Sequence, residues 1–148
     1  MTTSIRRAGP QDLDALAELF DAYRRFYGQP ADLVRARDWL RTRMRFGESV
    51  VLIAERGGVA AGFTQLYPMF SSVRTARTWI LNDLFVADEA RRSGVARALL
   101  DAAAQYARDD GAAGISLETT RDNTAARALY HAAGWHADET QWYSLSLA

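Results

Sequence analysis

The 148-residue chain contains no cysteine and no lysine. Without cysteine there are no disulfide frameworks, no thiolate metal sites and no acyl-cysteine intermediate. Without lysine, all eighteen basic residues are arginines, and the phosphate loop that ends in Gly-Lys-Ser/Thr is excluded; no Gly-x-Gly-x-x-Gly occurs either. No apolar run approaches the roughly 20 residues of a membrane span, and Met1 to Arg7 lack the apolar core of a secretory signal, so a cytoplasmic protein with no membrane partner is expected. Charge of one sign is not in excess: eighteen acidic residues balance the arginines, so no overall field draws the molecule to nucleic acid. The two histidines, His131 and His136, have no metal-ligand partners at suitable spacing, and no metal is expected.

No repeat, low-complexity tract or linker interrupts the sequence, and its length suits one domain over residues 1–148, burying about two-thirds of the unfolded surface. Thr2 to Arg7 reads as a short first strand. After Gly9-Pro10, which suits a helix start, Leu13, Leu16, Phe20, Tyr23 and Tyr27 recur at helical spacing. Gly28-Gln29-Pro30 breaks that helix, and Ala31 to Arg45 forms a second through Ala36, Leu40 and Met44. Ser49 to Glu55 and Val59 to Tyr67 flank Arg56-Gly57-Gly58, the glycine turn of a hairpin. Pro68 to Ala76 is expected as a loop, Arg77 to Val86 as a long central strand, and Val95 to Tyr106 as a helix stopped by Gly111 and Gly114. Ile115 to Glu118 follows as a strand, Asn123 to Ala133 as a helix, and Trp135 to Leu147 as two strand-like pieces. The order βααβββαβαββ implies a three-layer α/β domain with a mixed central sheet flanked by helices.

Arg91-Arg92-Ser93-Gly94-Val95-Ala96 lies between the long strand and a helix. A small-residue turn there leaves backbone N–H groups converging at the positive end of the helix dipole, which is an anion site. Gly94 and Ala96 let the backbone approach a pyrophosphate, and the flanking arginines add charge-assisted contacts.

The pattern Arg/Gln-x-x-Gly-x-Gly/Ala, met by Arg91, Gly94 and Ala96, resembles the acetyl-CoA-binding motif of the GNAT superfamily of N-acetyltransferases. Leu81 to Val86 is similar to that family's fourth strand, and Asn123, Ala126, Tyr130, Gly134 and Trp135 are spaced like its second conserved block. The resemblance implies a mostly antiparallel sheet in a single acetyltransferase domain. It also implies that the main chain of Leu84, Phe85 and Val86 holds the pantetheine arm of acetyl-CoA, and that the amides of Arg92, Ser93, Gly94, Val95, Ala96 and Arg97 hold its pyrophosphate. Asn123 and Ala126 would line the other side, and Tyr130 would protonate the departing thiolate. The stretch from Trp79 to Val86 looks closest to the spermidine/spermine and small histone acetyltransferases, in which homodimers are common and a glutamate precedes the strand's aspartate. Here that position in the catalytic centre is Asn82, so Asp83 or a water chain has to accept the proton.

The expected reaction moves an acetyl group from acetyl-CoA to a primary amine of a small molecule or protein. With no cysteine available, direct attack in a ternary complex is favoured over an acyl-enzyme. Tyr23, Phe26, Tyr27, Tyr67, Phe70 and Trp142 are candidates for the acceptor side. Arg37, Arg41 and Arg45 fall on one face of the second helix and, if they border the acceptor, favour one carrying an acid group. The alternative is a non-catalytic acyl-CoA-binding module that uses the same fold for sensing.

Overall fold

Runs of apolar residues, continuous and buried on both faces in the central strands, assemble into a five-stranded sheet of order β1-β2-β3-β4-β5. The computed structural model describes residues 2–148; Met1, the first residue of the expected single domain, lies outside them. Two units are distinguished, one ending at Glu118 and one spanning Thr119–Ala148.

The first unit holds the sheet. Strands β1 (Thr3–Arg7), β2 (Val50–Arg56), β3 (Val59–Ser71) and β4 (Ala76–Val86) pair antiparallel in turn, and β5 (Ile115–Ser116) adds parallel to β4. Helices α1 (Leu13–Phe26) and α2 (Leu33–Arg45) follow β1, and α3 (Val95–Asp109) follows β4. The 3-10 turn of residues 10–12 that leads into α1 is fixed by Asp12, whose carboxylate accepts the Gly9 N–H at 2.8 Å and both Nη groups of Arg6 at 2.7 and 2.8 Å. The Arg6 guanidinium holds the Asp12 carboxyl below the usual carboxylate range.

On one sheet face Leu16 and Phe20 of α1 and Leu40 of α2 pack against Ile53 and Phe63, each such side chain contributing roughly 1.5–3 kcal/mol on burial. The next residue after Gly62 is Phe63, which meets Phe20 and Tyr23, whereas Gly62 lies within reach of Leu99 on α3. Successive strand residues point to opposite faces, so α1 and α3 sandwich the sheet.

The observed order departs from expectation in three places. Pro68–Ala76 is not a loop: β3 and β4 stay paired to Ser71↔Ala76, and only residues 72–75 turn. Proline is tolerated because β2 begins at Val50, opposite Leu66, so at Pro68 the β2 side of β3 is a free edge where no N–H is needed. Strand β5 stops at Ser116 rather than Glu118, since only two of its residues find a ladder partner.

The second unit contains α4 (Thr124–Ala132), whose first turn is capped by Asn123 Oδ1 accepting the Ala126 N–H at 3.3 Å. Gly134 at φ 92 ends it, with the Trp135 N–H returning to the Tyr130 carbonyl at 2.9 Å. Residues 135–148 form no strand, correcting the last two elements of βααβββαβαββ. Their alternation is real in the sequence, but a strand exists only where a ladder partner supplies hydrogen bonds, and none does so among the described residues.

Candidate active site

A one-residue irregularity in β4 decides what this sheet can do. Gln65 opposes Asp83, but the next β3 residue, Leu66, opposes Leu81, so Asn82 is left over as a bulge. Before it, Trp79 and Leu81 share the α3 face; Trp79 packs edge-on against Tyr106 of α3 at 5.6 Å. After it, Asp83 and Phe85 stand opposite Gln65 and Phe63, on the α1 face. Were Asn82 paired in regular register instead of bulged, Asp83 would share the face of Leu81 and its carboxylate would point into the apolar layer under α3.

On the α1 face Asp83 is buried. Its Oδ2 accepts from Gln65 Nε2 at 2.7 Å and its Oδ1 from Asn82 Nδ2 at 3.1 Å, and the Tyr23 hydroxyl is a third partner. Thr64 Oγ1 donates to the Asp83 main-chain carbonyl at 2.8 Å. Among the described residues no arginine or histidine forms an ion pair with Asp83. Burial therefore pushes its carboxyl above the usual range, although the three donors pull it down. Burial, reinforced by the neighbouring Asp83, pushes the Tyr23 phenol up, so it stays a neutral donor. Tyr67 is also raised by burial and receives the Trp39 indole N–H at 3.4 Å.

Beyond the bulge β4 pairs with no further strand on its outer side among the described residues. Its ladder to β5 there consists of Trp79↔Ile115 and Ile80↔Ser116, so from Leu81 to Phe85 the outward N–H and C=O groups form an open edge beside Asp83. An extended, amide-containing chain can dock there by adding a strand.

The open edge leads to the turn before α3. Arg92 and Gly94 both take left-handed φ, 61° and 83°, and an αL residue followed by helical ones makes successive N–H groups converge. The first α3 amide region to return to the backbone is Ala98, bonded to Gly94 O at 3.0 Å, leaving the amides before it for an anion. A Cβ built on Gly94 meets nothing within 4 Å, so the space over the turn is clear. Ser93 Oγ donates to the Ala90 carbonyl, tying the turn down.

Of the residues expected from the sequence, Asn82, Asp83, Leu84, Phe85, Val86 and the Arg91–Arg97 segment share the first unit and follow one another along this edge and turn. Arg91 is committed differently: its Nε donates to the Val86 carbonyl at 3.1 Å, its Nη1 pairs with Asp88 at 2.7 Å, and its guanidinium lies over Phe26 and Phe85. It braces the strand end. Arg97 chelates Asp101 at 3.1 and 3.2 Å. Asn123, Ala126 and Tyr130 belong to the second unit, where Asn123 caps α4 and Tyr130 is half-buried on it. Arg37 and Arg41 are paired with Asp14 and Asp38, which satisfies two cations of the α2 stripe. Sequence reasoning missed Gln65; the signal available was a lone amide inside the apolar run from Val59 to Leu66.

An open strand edge leading into convergent helix-turn amides suits an extended amide chain that carries a phosphate. The chain matches the acetyltransferase (GNAT) family over residues 13–135 and belongs to that family. It is thus an acetyl-CoA-dependent acetyltransferase. Among its relatives, an uncharacterized N-acetyltransferase YhfO of Bacillus subtilis (strain 168) is 48% identical over 135 residues, 91% of each chain. A crystal structure of a probable acetyltransferase is 41% identical with a TM-score of 0.93 over 98% of both chains. The aminoglycoside N-acetyltransferase AAC(6')-Iy in complex with CoA shares the fold, with a TM-score of 0.82 at 21% identity over 99% of this chain and 96% of that one.

Proposed function

We propose that the chain moves the acetyl group of acetyl-CoA to a primary amine of a small molecule or protein, by direct attack in a ternary complex. The observation that carries this reading is the open edge of β4 lying directly after a buried carboxylate that no cation neutralises. The residues present suit the acyl carrier. The N–H and C=O groups of Leu84–Val86 match an extended amide chain, and the amides from Arg92 to Arg97 match a pyrophosphate. Acetyl-CoA supplies an activated thioester; the protein supplies position and proton transfer.

An amine of lysine-like pKa, about 10.4, is free in only about one molecule in 2,500 at pH 7. A proton has to leave before attack. Asp83 accepts it in our reading, because its raised proton affinity suits a base that must gain a proton and because Asn82 has no basic oxygen. A main-chain N–H at Phe85 or Val86 stabilises the oxyanion, and Tyr130 gives a proton to the thiolate. The match of the family over both units supports one catalytic domain, and a homodimer in the cytoplasm belongs to the same reading.

The test is thiol release from acetyl-CoA with a panel of amines including spermidine, amino-acid amides and aminoglycosides. Turnover with at least one and intersecting initial-rate lines are expected. Tight acetyl-CoA binding with no release for any amine would instead establish the non-catalytic module. Parallel lines would establish a covalent route.

A further inference from the structure

Gln65 sits in the middle of the sheet, in register with Val51 of β2 on one side and Asp83 of β4 on the other, and is fully buried. Its Nε2 donates to Asp83 Oδ2, yet its own Oε1 has no partner. A buried amide with an orphaned carbonyl costs folding energy that a leucine of similar size would not. Apart from a side-chain contact with the Tyr67 hydroxyl, what Gln65 adds in return is the N–H on Asp83.

We propose that Gln65 is a positioning residue for proton removal from the acceptor amine, its amide fixing the Asp83 carboxylate so that the acceptor site left open by Gln65, Asn82 and Tyr23 meets the incoming ammonium. This rests on Asp83 being the proton acceptor. A carboxylate has about four lone-pair sites; Gln65, Asn82 and Tyr23 fill three, leaving one. The three donors differ in rigidity. Asn82 lies on a bulge and Tyr23 on a helix, whereas Gln65 is locked between two strands, and a site is most precise where its support is stiffest. In the step, an N–H bond of the ammonium breaks and its proton joins an Asp83 oxygen. The freed lone pair then attacks the acetyl carbonyl. As the intermediate collapses the C–S bond breaks, and coenzyme A leaves as its thiol, protonated by Tyr130 in the reading above. The amide nitrogen gives up its second proton to water, and the proton on Asp83 is later lost to water as well.

Removing the amide withdraws a donor that favours charged Asp83, so its proton affinity rises. The other titratable groups facing Asp83 are Tyr23 from α1 and Tyr67 from β3, the latter itself under the influence of Arg43 from α2. Both phenols stay neutral below pH 10, which leaves the acid range to Asp83. In full-length Gln65→Leu, the ¹³C titration of the Asp83 carboxyl, assigned by its loss in Asp83→Asn, should move up by about one unit. The acid limb of kcat/KM should move with it. At a pH below the limb kcat/KM should fall about tenfold and recover above the shifted limb, with KM for acetyl-CoA unchanged.

A carboxyl midpoint and acid limb that both stay in place overturn the proposal and leave Gln65 as packing. Should the leucine variant not fold, Gln65→Asn, which withdraws the amide by one methylene, has to give the same shift or the proposal fails. Asp83→Asn that keeps its rate and its acid limb overturns the base assignment itself, whatever Gln65 does.

Discussion

Asp83 draws its chemistry from neutral neighbours. With Gln65, Asn82 and Tyr23 around it and no cation, it is solvated well enough to ionise but not so well that it loses its affinity for a proton. Replacing it by asparagine should lower kcat/KM by about 100-fold or more and abolish the acid limb, which steady-state pH profiles would reveal. The same carboxyl opposes folding when charged. Its folded value is raised, so its contribution to stability is full below the unfolded pKa near 3.9 and is lost as pH rises through the folded value. Asp83→Asn should therefore match or exceed the wild type in urea denaturation at pH 7. Asp12 runs the other way. Its folded value is depressed by Arg6, so its contribution is present above about 3.9 and disappears as pH falls through the folded value. Asp12→Ala should cost about 1 kcal/mol at pH 7 through the lost cap, with the difference vanishing in acid.

At the scale of elements, β4 works because it changes faces once. Deleting Asn82 makes Leu81 and Asp83 consecutive, so every β4 residue keeps its face and only the bulge and the Asn82 donor to Asp83 are lost. The deletion variant is expected to keep its fold and lose activity, measurable by thermal scanning beside initial rates. Gly62 polices the same region from β3. A Cβ there would sit 2.6 Å from the Phe85 carbonyl oxygen, so Gly62→Ala has to push the outer edge of β4 outward. An overpacking cost of about 1–3 kcal/mol and a raised KM for acetyl-CoA are expected, with the acceptor KM little changed. Gly94 tests the helix turn by a different route. Its substitution by alanine meets no protein atom but forces a side chain into left-handed backbone, costing roughly 1–2 kcal/mol. The new methyl group also enters the space over the amides, so affinity for coenzyme A should fall.

For the whole molecule, the sheet leaves an open edge at one end of β4, where coenzyme A is proposed to bind, and lets α1 and α3 cover its two faces. Binding there ties strand, turn and helix into one unit, so coenzyme A at 100 times its Kd should stabilise the fold by about 2.7 kcal/mol. A thermal shift that saturates with coenzyme A and is weakened in Gly94→Ala would check this. Among the described residues no helix is long and apolar enough to cross a membrane.

The anion turn, the helices and the first hairpin were legible in the sequence because each depends on contacts a few residues apart. Gly94 has its left-handed turn, Leu13, Leu16 and Phe20 their helical stripe, and Gly57-Gly58 their hairpin, whatever the rest of the chain does. What depends on a distant partner was not legible. The bulge at Asn82 exists only because β3 passes it in a given register. The length of the β3–β4 hairpin depends on β2 ending short of Pro68, and the terminal strand pattern had no ladder to join. Gln65 was invisible for the same reason: its significance lies in Asp83, 18 positions away in sequence and 2.7 Å away in space. The sequence by itself therefore determined the family and the glycine turn before α3 that is proposed to hold acetyl-CoA, since local backbone geometry makes both motif and turn. Only the tertiary structure decided which face Asp83 occupies and which groups surround it, since register and burial are properties of pairs of strands.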